Sequence, residues 1–159
     1  MDTMKRILRI ILLLAALSAI SGCANKFKKV KITSVDVESV TPTGLKSFKA
    51  LVSIGIDNPA PSFNIMNLKA DLRRDTVAMM HLYGENLAVE GKCEKVYRLP
   101  VTAQIDSAVS LLKMAYLVRS FNPAEYVVDI SARAVVGGIG KNLVYKDIPL
   151  SSLMDQARQ

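Results

Sequence analysis

Few side chains in this sequence are of types that do chemistry, and their spacing limits what they can do. There is one histidine, His81, and there are two cysteines, Cys23 and Cys93. A hydrolytic dyad or triad needs a base beside its nucleophile. His81 follows Met79-Met80, and no Gly-x-Ser-x-Gly occurs anywhere. Thioethers and imidazole also suit soft Cu(I), but neighbours on a strand point to opposite faces. Met79 and His81 would then share one face and Met80 the other, so no metal is expected. Gly137-Gly138-Ile139-Gly140-Lys141-Asn142 mimics a phosphate loop only in outline. Such a loop needs glycine five residues before its Gly-Lys pair and Ser or Thr after it. Val135 and Asn142 stand there instead, so a hairpin turn is expected. No carboxylates recur at a spacing suited to acid–base work. The sequence therefore assigns no catalytic residue, cofactor or small-molecule substrate.

Cys23 is different, because of what precedes it. Lys5, Arg6 and Arg9 form a positive segment, and Ile10 to Ile20 is an apolar run broken only by Ser18. That run makes roughly 17 Å of helix, whereas a ~30 Å hydrocarbon core needs about 20 residues. It reads as the core of an export signal and not as a membrane span. A start at Met4 gives a tidier positive segment than a start at Met1.

The run ends in Ile20-Ser21-Gly22-Cys23, which resembles the lipobox of bacterial lipoproteins: an aliphatic residue, two small residues, then cysteine. The resemblance implies cleavage between Gly22 and Cys23, removal of residues 1–22, and a lipidated Cys23 as the first mature residue. One acyl chain holds a protein only marginally, while two or three hold it stably. Ala24 follows, with no aspartate to signal inner-membrane retention under the enterobacterial rule. The expected location is the outer membrane of the cell envelope, facing the periplasm, with the membrane itself as a partner.

The formal net charge is +7; the leader supplies Lys5, Arg6 and Arg9 against Asp2, which leaves +5 on the remainder. Part of that excess lies in a short tether, residues 23–29, and just past it, at Lys26, Lys28, Lys29 and Lys31. Lysines near an anionic surface contribute at most ~1 kcal/mol each, so they orient the domain more than they attach it. An exported, lipidated chain rarely meets nucleic acid, so none is expected. With Cys23 acylated, Cys93 has no partner within the chain, and its phase in the Tyr97–Val101 alternation predicts a buried, inert thiol.

The elements that must carry these residues follow from periodicity. Val30, Ile32, Val35 and Val37 alternate with a change of phase near Ser34, which predicts a bulged strand. Phe48 to Ile56 alternates cleanly and stops at Asn58-Pro59-Ala60-Pro61. Met66 to Leu72 is a further strand. Gly84-Glu85-Asn86 divides the next stretch into two short pieces, and Tyr97 to Ile105 is another strand. Ala108, Leu111, Leu112, Ala115 and Val118 recur at three and four, predicting one helix packed by that face, with Asp106 as its cap. Tyr126 to Ala134 and Leu143 to Leu150 close the domain, which spans residues 30–150. Residues 151–159 read as a tail. The fold class expected is mainly β: an immunoglobulin- or fibronectin-III-like antiparallel β-sandwich of about seven strands with one α-helix.

Leu51-Val52-Ser53-Ile54-Gly55-Ile56-Asp57-Asn58-Pro59, followed by Leu68-Lys69-Ala70-Asp71-Leu72, resembles the late-embryogenesis-abundant type 2 (LEA type 2, water stress and hypersensitive response) domain. Asn86 to Gly91 and the strand bearing Leu99-Pro100-Val101 continue the likeness over about residues 30–150. The resemblance makes Asn58 and Pro59 the motif positions, with Asn58 satisfying backbone groups at the strand end and Pro59 fixing the turn. Ala60 departs from the family pattern, where a second asparagine often stands. The resemblance implies a non-catalytic domain that binds or protects proteins or membranes under stress. A small scaffold or accessory lipoprotein of an envelope assembly is the alternative expectation.

Overall fold

The computed structural model describes residues 29–156, with Lys5 alone before them. The leader, the Gly22–Cys23 junction and most of the tether lie outside the described residues. The chain runs β1 (Lys31–Pro42), β2 (Ser47–Asn58), β3 (Phe63–Arg74), β4 (Val77–Gly84), β5 (Leu87–Val89) and β6 (Cys93–Ile105). There follow α1 (Leu111–Arg119), a 3₁₀ turn (Pro123–Glu125), β7 (Tyr126–Val136), β8 (Ile139–Pro149) and α2 (Leu150–Gln156).

All eight strands belong to one antiparallel sheet, in the order β1-β2-β6-β4-β3-β7-β8, with β5 added to the start of β3. The mainly β, antiparallel domain with one crossing helix is thus as expected, with eight strands rather than about seven. Alternation explains the core: Val52, Ile54 and Ile56 of β2, Leu99 and Val101 of β6, and Val128 and Ile130 of β7 all enter one buried cluster. One short helix cannot cover the inner faces of eight strands, so the sheet folds over on itself. β4 is the corner. It pairs with residues 69–74 of β3 and with residues 101–105 of β6. Beyond its reach the sheet parts into β1-β2-β6 on one side and β5-β3-β7-β8 on the other.

Three local expectations hold in detail. The register of β1 shifts between Ile32 and Ser34, and again between Val37 and Ser39. β4 and β5 are the two short pieces on either side of Gly84-Glu85-Asn86. Gly137 and Gly138, both at positive φ, form the two-residue turn between the paired Val136 and Ile139, a geometry that favours glycine at both places.

Three others change. Cys93 is half-buried, with its thiol donating to the Glu90 carbonyl at 3.7 Å. It shares the phase of Tyr97 but lies at the first position of β6, beside the β5–β6 turn. The final strand stops at Pro149, which has no N–H to continue a ladder. Leu150, expected as the last residue of that strand, instead starts α2 and is fully buried, and residues 151–156 of the expected tail continue the helix.

The third change is the face of α1. Val109, Met114, Leu117 and Phe121 face the sheet, whereas Leu111, Leu112, Ala115 and Val118 are exposed. Apolar residues nearly encircle this helix, so periodicity alone allows two inward faces. The connection to β6 decides between them. Val109 is fully buried, and Ser110 then caps the helix by accepting from the Lys113 N–H at 3.1 Å. Asp106 is not the cap. It turns the chain two residues earlier, accepting from the Ala108 N–H at 2.9 Å.

Candidate functional site

Asn58 is the sole buried polar side chain among the described residues, at 0 % exposure. Its Oδ1 accepts from the Ala60 N–H at 3.0 Å, closing a short turn around Pro59. Its Nδ2 donates to the Glu90 carbonyl at 2.9 Å and to the Pro61 carbonyl at 3.3 Å. The amide therefore ties the β2–β3 turn to the β5–β6 turn. The Lys92 N–H donates back to the Ala60 carbonyl at 3.0 Å. Gly91 sits flush against this turn, because a Cβ there would meet the Ser62 nitrogen at 2.5 Å. Ala60 is itself buried, so a polar side chain is not needed at that place. This is a structural clamp, with Asn58 in the role the sequence assigned and no group left over for a ligand.

His81 has company that the sequence reading missed. It lies on the outer face of β4, opposite Asp71 of β3 in the ladder. Its Nδ1 is 2.6 Å from Asp71 Oδ1, and its Nε2 is 2.7 Å from Asp106 Oδ2. Lys69 pairs with Asp71 from the far side at 3.1 Å. The hydrogen bond to Asp71 raises the imidazole pKa above its ordinary value; burial opposes it, and the hydrogen bond to Asp106 adds to the rise. His81 in turn lowers the Asp106 carboxyl. An imidazole engaged by carboxylates at both nitrogens has no lone pair to offer a substrate. What it does is hold a proton and clasp the β6–α1 connection to the sheet.

Met79 and His81 were expected on one face. A bulge that sets Arg73 opposite Ala78 and Leu72 opposite Met80 leaves Met79 as the extra residue, so both methionines turn inward. They line a narrow apolar crevice under α1, about 30 Å³, with Leu72, Met114, Leu117, Phe121 and Tyr126. Phe121 stacks on Tyr126 at 5.0 Å between ring centres, and burial pushes the Tyr126 phenol upward. Among the described residues, no three His, Cys, Asp or Glu side chains are grouped to hold a metal ion.

Beside His81 on the same outer face lies a second ionic group. Arg73 grips both Asp129 oxygens, at 2.7 and 3.1 Å, and reaches Asp147 at 2.6 Å. The Arg73 guanidinium holds the Asp129 carboxyl below its usual range. Every charge here is paired within the domain, which marks it as a brace of β3, β7 and β8.

What remains unpartnered is the outward stripe of α1. Leu112 is 84 % exposed and Tyr116 69 %, with Leu111 at the margin. Lys113 and Arg119 flank the stripe, and Ser110 and Ala115 complete an open groove along it. Apolar side chains gathered on a rigid element with cations at the margin suit a binding face.

No family model matches the chain, and no curated protein does. Among solved structures, the chain is similar to a protein from Archaeoglobus fulgidus, with 9 % identity and a TM-score of 0.49 over 73 % of this chain and 92 % of that one. It is also similar to part of a beta-glucuronidase from glycoside hydrolase family 2, with 15 % identity and a TM-score of 0.32. That likeness covers 74 % of this chain but 10 % of the enzyme. Nothing about function carries over from either.

Proposed function

We propose that this protein is a non-catalytic lipoprotein of the bacterial cell envelope, anchored through Cys23, whose folded domain binds or protects other proteins or membranes. The observation that carries the reading is the orientation of α1. A helix with two apolar faces spends one on the core and presents Leu112 and Tyr116 to the outside. The lipobox-like Ile20-Ser21-Gly22-Cys23 supports the anchor. The commitment of His81 to two aspartates supports a binding role over a catalytic one. Among the described residues no helix is long and apolar enough to cross a membrane.

The test is photo-cross-linking in intact cells. A photoreactive side chain at Tyr116 should give discrete adducts that weaken when Leu112→Glu is added. The same probe at Lys49, on the exposed face of β2, should give few. Equal adduct patterns from the two positions would overturn α1 as the contact.

A further inference from the structure

The strand registers place four features at one end of the sheet. The chain enters β1 there, with Lys31 opposite Asp57. The β2–β3 turn, the β5–β6 turn and the β7–β8 turn follow, since Asn58 faces Cys93, Phe63 faces Val89 and Val136 faces Ile139. α1 lies at the other end, because it joins Ile105 of β6 to Tyr126 of β7, which stands opposite Arg74. Twelve-residue strands separate the two ends by about 40 Å along the chain direction.

The entry end carries the composition of a membrane contact. Lys29, Lys31, Lys92 and Lys141 are exposed there, as is Lys95, which pairs with Glu90 at 2.5 Å. Asp57 and Glu94 are the acidic groups left beside them. Ile139 projects from the tip of the β7–β8 hairpin at 80 % exposure, immediately after the two glycines and two residues before Lys141. Seven residues, 23–29, separate the acylation site from the domain, and extended they reach at most about 25 Å.

We infer that this end is a foot resting on the bilayer that carries the chain's own lipid. Ile139 enters the headgroup boundary, the lysines lie on anionic headgroups, and α1 is thereby presented outward to proteins. The inference rests on the proposed anchor, and it goes further by fixing which surface meets lipid.

The experiment uses the full-length lipidated protein in phosphatidylethanolamine–phosphatidylglycerol vesicles, in a Cys93→Ser background. An environment-sensitive fluorophore is attached to Ile139→Cys or to Leu112→Cys. Flotation with the vesicles reports the anchor, and quenching by a lipid-borne quencher reports the foot. Quenching roughly three-fold stronger at 139 than at 112 is expected, falling toward equality when the Lys92→Glu and Lys141→Glu changes are added. Equal quenching at the start, or stronger quenching at 112, would overturn the foot while leaving the anchor intact. Loss of flotation would overturn the anchor and the foot with it.

Discussion

Asn58 and Glu90 are joined across 32 residues of chain by one hydrogen bond, from the asparagine Nδ2 to the glutamate carbonyl at 2.9 Å. That bond ties together two turns that each cross between the layers, at the end where the sheet has parted. It gives a physical meaning to the Asn-Pro pair that ends β2.

Asn58→Ala leaves the Ala60 N–H without its partner and the Glu90 carbonyl with only the weak Cys93 thiol donor. Each buried group left unmade costs about 1–3 kcal/mol, so the unfolding free energy should fall by about 2–5 kcal/mol. Urea denaturation checks this. A loss of less than about 1 kcal/mol would show that water replaces the amide at little cost.

Gly91→Ala should destabilise by about 1–3 kcal/mol, because the new Cβ meets backbone at the Ser62 nitrogen and not a flexible side chain. The reading is again the urea midpoint. Addition of Asn58→Ala should then cost less than the two changes summed, since both act on one contact between turns.

The orientation of α1 makes a paired prediction. Leu117→Ala removes a buried side chain and should cost about 2–4 kcal/mol. Leu112→Ala removes an exposed one and should stay within about 0.5 kcal/mol. Thermal unfolding of the two variants would show the reverse order if the face predicted by periodicity were the buried one.

These positions mark what is legible in the sequence. Strand alternation, the bulge near Ser34, the breaks at Asn58-Pro59 and Gly84-Glu85-Asn86, and the two-glycine hairpin are local signals, and each appears in the fold. The inward face of α1 is not local. Leu111 and Leu112 fit one helical stripe as well as Met114 and Leu117 fit the other, and the choice falls to Val109 and to the aspartate clasp before the helix. The clasp was hidden for the same reason. Asp71 and His81 meet only through the register of β3 on β4, and the extra residue at Met79 sets that register. A bulge near Met79 would have been signalled only by the competing phases between Thr76 and Val89.

His81 offers a direct pH test. The folded state raises its pKa above the ordinary 6.5, so the folded state binds the proton more tightly than the unfolded one. Its stabilisation is complete below about pH 6.5 and is lost as pH rises through the folded-state pKa. Asp106 works the other way: its carboxyl is lowered below 3.8, so its contribution is present above that value and lost as pH falls through the lowered pKa. The stability advantage of the parent over His81→Gln should therefore be greatest in mildly acidic solution and shrink toward alkaline pH. With one histidine in the sequence, the imidazole proton resonance titrates without overlap. A midpoint at or below 6.5 would contradict the clasp.

The anchor is the claim on which the cellular reading depends, and fractionation after labelling with a radioactive fatty acid tests it most directly. The parent should incorporate the label and sediment with membranes, while Cys23→Ser should lose the label and pass to the soluble fraction. A Cys23→Ser protein that stays with the membranes as the parent does, or a parent that takes up no fatty acid, would contradict it.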